Sequence, residues 1–262
     1  MLRYLIALAC AAPLGAQSFT TAERALATTA RSDGLAAALA TRAAVIGWPG
    51  MAVRFSLPAG VTGPRAHLAP LGLVVAPDST LALAWGVAAP IGVGPLDLSG
   101  RYLAAWSRRE GAWRLEAFLV TASLDTLPEL GPRITPPDWS DDAEPFAAAD
   151  GAFAARALEV GAAAAFAEWV APHGVLFGAE GRHVIGPAAI ARQMAPTAGS
   201  RWVWGPVAAG GSVDGTLGWT MGEATITPPG GAPAAKSKYL TLWQRQPDGA
   251  IRWIADGGNA RP

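Results

Sequence analysis

Cysteine is almost missing from this sequence: one residue in 262, Cys10. It lies in a segment with the marks of a removable leader. The remaining chain therefore has neither a disulfide framework nor thiol chemistry. Charge is also scarce. Charged residues make up 15%, with 20 basic against 20 acidic side chains and no block of Lys or Arg. Nucleic-acid binding depends on clustered cations that neutralise phosphates, so that partner class is excluded. Past the leader, no apolar run reaches the roughly 18 residues a membrane-spanning helix needs. Neither a Walker loop nor a dinucleotide fingerprint occurs, and no cofactor is expected. Tyrosine and histidine number three each, so few side chains are available for acid–base work.

What is present is apolar. Hydrophobic residues reach 51%, enough for a packed core, and there are 11 tryptophans. Residues 1–17 have the layout of a secretory signal peptide: Arg3, the apolar run Leu5 to Ala12, then Pro13-Leu14-Gly15-Ala16 before a cut. The alternative is a buried N-terminal helix. A leader places the mature protein in the periplasm or outside the cell.

The chain also says one thing twice. Gly100-Arg101-Tyr102-Leu103-Ala104-Ala105-Trp106 returns as Ser237-Lys238-Tyr239-Leu240-Thr241-Leu242-Trp243, 137 residues later. Solenoid units run about 20–50 residues, so this is a duplicated domain. The division is a worn first domain over 18–126, a connector over 127–140 and a second domain over 141–262. Four prolines between Pro128 and Pro137 forbid regular helix in the connector.

The second copy reads clearly. Phe146, Phe153 and Val160 recur every seven residues as a helical stripe, broken at Gly161. A short helix from Ala162 to Val170 ends at Pro172 and Gly174. Val175-Leu176-Phe177 is a strand, turned by Gly178 to Gly181 into Arg182 to Ile185, and Gly186-Pro187 opens a third helix over 188–195. Strands follow over 201–207, 216–226, 237–246 and 250–256, with Pro247-Asp248-Gly249 as a turn. Helices followed by an antiparallel meander make an α+β module. The first copy repeats the plan: helix over 21–44 with Gly34 matching Gly161, Gly63-Pro64 matching Gly186-Pro187, and strands over 81–87, 101–106 and 113–120. Prolines make its third helix doubtful.

This order of a helix with a glycine break, Glu168-Trp169-Val170-Ala171-Pro172-His173-Gly174, then Gly186-Pro187-Ala188-Ala189-Ile190 resembles the nuclear transport factor 2-like superfamily. Gly215 to Gly222 with Tyr239, Trp243, Asp248-Gly249, Trp253 and Asp256 is most similar to its SnoaL-like members, including domain of unknown function 4440. The resemblance implies two tandem cystatin-like cones, each a bent antiparallel sheet wrapped around N-terminal helices and enclosing an apolar pocket. It further implies that the two copies pair through their sheets as an intramolecular pseudo-dimer. Fold alone decides nothing about chemistry.

Ketosteroid isomerase, a member of that superfamily, offers a test. Its mechanism needs an Asp base, a Tyr and a protonated Asp. By resemblance these fall near Phe177-Gly178, near Phe153 and within the strand 236–246. Glycine stands at the first, 141–238 holds no tyrosine, and the strand has no carboxylate. No catalytic residue is assigned. His173, Glu180 and His183 cluster around the expected hairpin, but their spacing matches no standard zinc site and no metal is expected. Gly210-Gly211-Ser212-Val213-Asp214 resembles a nucleophile elbow, yet joins two strands and lacks the last glycine.

The tryptophans have two readings, core filling or the wall of an apolar pocket. For a pocket in the second copy the candidates are Trp219 and Trp243 as wall, Tyr239 and His173 as polar end, with Trp204, Glu223 and Asp256 beside them. Asp256 alternatively fixes a turn at Gly257-Gly258-Asn259. Three functions follow: binding of a small apolar molecule without catalysis, a SnoaL-like cyclase, isomerase or dehydratase using His173 or Asp256, or a structural module.

Overall fold

The computed structural model describes residues 14–58, 60–92, 100–121, 141–178 and 183–261. Most of the expected leader, the connector 127–140 and the hairpin residues 179–182, Glu180 among them, lie outside that set.

The first module runs α1 (Leu14–Ser32), α2 (Leu35–Ala40), β1 (Val45–Gly47), β2 (Ala66–Val75), β3 (Leu81–Pro90), β4 (Gly100–Arg109) and β5 (Ala112–Val120). The second runs α3 (Glu144–Val160), α4 (Ala162–Trp169), β6 (Val170–Phe177), β7 (His183–Ile185), α5 (Pro187–Met194), β8 (Arg201–Gly211), β9 (Leu217–Thr227), β10 (Ala235–Arg245) and β11 (Ile251–Arg261). The sheets are ordered β1-β5-β4-β3-β2 and β7-β6-β11-β10-β9-β8. Each is an antiparallel meander with one parallel neighbour added to its last strand, β1 on β5 and β6 on β11. Two tandem α+β modules with N-terminal helices on a sheet are the expected fold class, with mixed sheets where purely antiparallel ones were expected.

The same local devices build both copies. Gly34 (φ 98°, ψ 155°) and Gly161 (φ 86°, ψ 153°) break the long helix in one conformation, which a residue with a Cβ rarely adopts. Pro70 and Pro206 sit at matching bulges in the edge strands β2 and β8. An edge strand at a bulge tolerates a residue without N–H, which is why β2 forms across a proline that hides it from periodicity. Bulges at Ala105/Trp106 and Leu242/Trp243 match as well.

As the prolines of the first copy suggest, no helix follows Gly63-Pro64: the Pro64 carbonyl accepts the Leu35 N–H and so closes on the Gly34 break. Two expectations need correction. Gly257-Gly258-Asn259 is not a turn, because β11 pairs with β10 as far as Arg261. The helix expected over 21–44 ends at Ala40, and β1 follows.

Each module has its own core on the helix side of its sheet. The first centres on Phe19, Trp48, Trp106 and Phe118, the second on Phe146, Phe153, Phe166, Trp243 and Trp253. A third core lies between the sheets, where Leu83, Leu103 and Leu119 meet Trp219, Met221, Leu240 and Leu242. The contacts at its edge are reciprocal. Asp78 N donates to Asp214 Oδ2 (3.1 Å) and Asp214 N to Asp78 Oδ2 (2.8 Å), and these residues correspond in the duplication. Exchange between equivalent residues is the mark of a two-fold arrangement.

Candidate functional site

In α3 the stripe Phe146, Phe153 and Ala157 faces the sheet, and Asp150 lies inside that stripe, with no exposed surface. A buried carboxylate is costly unless hydrogen-bonded. Asp150 meets that demand with Tyr239 O–H donating to Oδ2 (2.7 Å), Trp204 Nε1 donating to Oδ1 (2.9 Å) and a further hydrogen bond from Thr220. Thr220 Oγ1 in turn accepts Trp243 Nε1 at 2.8 Å. Gly222 makes this possible, since a Cβ there would stand 2.5 Å from the Tyr239 hydroxyl.

Burial raises the Asp150 pKa above the ordinary carboxylate value, although its three hydrogen bonds oppose the shift. Tyr239 is raised well above a free phenol, first by burial, then by the charge of Asp150 and the hydrogen bond to it. Asp256, opposite Thr241 on the same face, is pushed up to about 7 by burial and by the charge of Asp150. Thr241 Oγ1 donates to its Oδ2.

Aromatic rings fill the space around this network. The Phe153 ring centroid lies 4.9 Å from those of both Phe166 and Trp204, 5.8 Å from Trp169 and 6.2 Å from Trp243. Trp243 is therefore core, pinned from both sides. On the opposite face of the sheet from the Trp204 indole, at the ends of β8, β9 and β10, a cleft of about 350 Å³ opens. Val203, Trp204, Gly205 and Ala224 line it together with the polar Glu223, Thr225 and Lys236.

Of the residues expected at a pocket, Glu223 lines this cleft with its side chain, and Trp204 borders it while its indole turns to the helix face. Tyr239, Trp243 and Asp256 lie in the buried network behind it. Trp219 does not share a wall with Trp243. It pairs with Leu242 while Trp243 pairs with Gly218, so the pleat turns Trp219 to the core between the sheets. His173 is exposed on β6 and meets neither Tyr239 nor the cleft. His183 is exposed on β7, its Nδ1 3.5 Å from Arg101 Nη2. Among the described residues no group of three His, Cys, Asp or Glu could hold a metal.

Sequence reasoning missed Asp150, Thr220 and Lys236. For Asp150 a signal existed: a carboxylate four residues after Phe146 and three before Phe153 lies on the apolar face. The first copy repeats it with Phe19, Glu23 and Leu26, and Tyr102 O–H donates to Glu23 Oε1 at 3.0 Å.

Each module lays N-terminal helices on one face of a largely antiparallel sheet, and solved structures with a cystatin-like fold are among those the chain is similar to. The chain is similar to a domain of unknown function with a cystatin-like fold from Nostoc punctiforme, at 17% identity over 47% of this chain and 78% of that one, TM-score 0.39. It is similar to a ketosteroid isomerase-like protein from Erwinia carotovora atroseptica at 14% identity, over 47% and 98%, TM-score 0.40. It is also similar to an NTF2-like protein with a cystatin-like fold from Novosphingobium aromaticivorans at 18% identity, over 46% and 82%, TM-score 0.37. At these scores nothing about activity or ligand passes from those proteins to this chain. No family model and no curated protein matches the sequence.

Proposed function

We propose that this is an exported binding protein, periplasmic or secreted, whose second module holds a small, largely apolar molecule without transforming it. The observation that carries this reading is the cleft across β8, β9 and β10 at Gly205, Glu223 and Lys236. Its volume falls in the ordinary range for small-molecule sites, roughly 300–1,000 Å³. Its side-chain walls are Val203, Glu223, Thr225 and Lys236, which share the sheet face opposite the Trp204 indole. Binding without chemistry is supported by where the polar groups point. Asp150, Tyr239 and Thr220 hydrogen-bond one another and two indoles on the helix face, so they rigidify the sheet behind the cleft. The first module serves as the covalent partner of a pseudo-dimer, a role supported by the core between the sheets and the Asp78–Asp214 exchange.

Gly205 offers a clean test, because a Cβ there meets nothing within 4 Å. Gly205→Leu should fill the cleft and leave the melting temperature unchanged. With 2-naphthol as probe, calorimetry should give saturable binding to the parent protein and none to the variant. Equal binding to both proteins would sink the reading. Export is checked by intact mass of protein from its native source: a retained Met1–Ala16 rejects it.

One observation favours a second reading, a SnoaL-like enzyme. Asp256 is held near pKa 7, suited to proton transfer at neutral pH, and Thr241 is its one hydrogen-bond partner among the described residues.

A further inference from the structure

The ladder fixes which side chains share the cleft's face of the second sheet. Arg201 stands opposite Thr227, Val203 opposite Thr225, and Thr225 opposite Lys236 on its other side. They alternate with Trp202 and Trp204, whose rings pack on Phe166 beneath the helices, so all five lie on the face turned to the first module. Directly opposed side chains have Cβ atoms about 5 Å apart. Two neighbouring rows therefore bring a guanidinium, two hydroxyls and an ammonium within reach of one point at the mouth of the cleft.

These cations are available. Arg201 and Lys236 are exposed, and neither has a side-chain hydrogen bond or ion pair among the described residues. The turn 228–234 between β9 and β10 contains no charged residue. The one carboxylate that lines the cleft, Glu223, lies a row deeper and is engaged from the first module, where Val53 N donates to its Oε1 at 3.3 Å. Between the cations and Glu223 the floor is flat, because Gly205 has no side chain and a Cβ there would meet nothing within 4 Å. The duplication supplies an internal comparison. Thr225, Thr227 and Lys236 correspond to Ala89, Ile91 and Ser99, and only Arg201 has a counterpart of like charge, Arg65. The set of four donors belongs to the second module.

We propose that the ligand of this cleft is a small phosphate monoester, its organic part over Gly205 beside Val203 and its phosphate received by Arg201, Thr225, Thr227 and Lys236. The proposal rests on the cleft being the binding site and adds the ligand's head group. A phosphate monoester carries close to two charges and three terminal oxygens, which two cations balance and two hydroxyls help to satisfy. A carboxylate, with one charge, would leave part of the set unused.

The test uses the full chain and three probes that share one ring system, 2-naphthyl phosphate, 2-naphthoate and 2-naphthol, titrated by calorimetry. An exposed ion pair contributes about three- to fivefold, so the phosphate ester should bind about tenfold more tightly than 2-naphthol, with 2-naphthoate between them. Added salt should shrink the gap. Arg201→Gln and Lys236→Gln should each weaken ester binding about three- to fivefold and leave 2-naphthol unchanged. The double variant should bind ester and 2-naphthol alike, and Gly205→Leu should bind none of the three. Pelleting with phosphatidylcholine vesicles that contain phosphatidate, lost in the double variant, would make the ester a lipid headgroup; no pelleting would make it a soluble molecule. Ester affinity no higher than that of 2-naphthol or 2-naphthoate, or a preference that survives the double variant, overturns the phosphate assignment and leaves the cleft standing. No binding of any probe, or binding unchanged in Gly205→Leu, overturns the cleft and this proposal with it.

Discussion

The two modules place a tyrosine and a helix carboxylate in the same relation, Tyr102 with Glu23 and Tyr239 with Asp150, but surround them differently. In the second module Trp204, Thr220, Thr241 and Asp256 extend the pair into a network. The corresponding residues of the first are Leu68, Ala84, Ala104 and Phe118. Phe118 stacks on Tyr102 with ring centroids 5.6 Å apart. Trp106 matches Trp243 in sequence and bulge, yet its buried Nε1 has no acceptor among the described residues where Trp243 has Thr220. Both copies carry the carboxylate–tyrosine pair that ties helix to sheet. Around that pair the first module has apolar side chains where the second has hydrogen-bonding ones.

The largest effect expected from that contrast is a dependence on pH. The folded protein holds the Asp256 proton up to about pH 7, whereas the unfolded chain releases it near 3.8. Between those values the unfolded state binds fewer protons. Asp256 therefore favours folding below about pH 3.8, and that contribution falls away as pH rises to 7. Asp256→Asn should raise stability above pH 7 by up to about 4 kcal/mol and give no gain at pH 3, read from urea midpoints across that range. A gain that does not vary with pH would reject the assignment. Phe118 in the same place gives the first module no such dependence.

Next comes removal of each carboxylate. Asp150→Ala leaves the Tyr239 hydroxyl and the Trp204 indole buried without an acceptor, and should cost about 3 kcal/mol by urea denaturation. Glu23→Ala orphans the Tyr102 hydroxyl and should cost about 1–2 kcal/mol. Equal costs would mean that the wider network adds nothing.

A smaller effect comes from exchanging partners. Thr220→Ala imposes on Trp243 the state of Trp106 and should cost about 1–2 kcal/mol. Ala84→Ser offers Trp106 an acceptor and should gain about 0.5 kcal/mol. A loss in the second variant would show that packing around Ala84, not the missing hydroxyl, governs that site.

Much of the fold was legible because its signals are local. Gly161 stops a helix wherever it stands, and Tyr102/Trp106 against Tyr239/Trp243 reveals a duplication without any coordinates. β2 was not legible, because Pro70 reads as an interruption until its edge position and bulge are known. The site was half legible. Trp204 and Glu223 are ordinary candidates on a strand with polar and aromatic neighbours. Asp150 was overlooked because attention went to strands, although its place in the Phe146–Phe153 stripe marked it as buried.

The order of amino acids alone determined the duplication, the helix breaks and the alternation of side chains along each strand, since these are periodic or covalent properties of a single line. Only the tertiary structure decided which of the two strand faces meets helices and which meets the other module. Alternation assigns residues to two faces without naming them, and the bulge at Leu242/Trp243 shifts the pairing between β10 and β11. The unbroken β9–β10 register, with Trp219 opposite Leu242 and Trp243 opposite Gly218, is what puts Trp219 and Trp243, both expected at one wall, on opposite sides of a sheet. The engagement of Glu223 by Val53, 170 residues apart, could likewise be read only from the packed molecule.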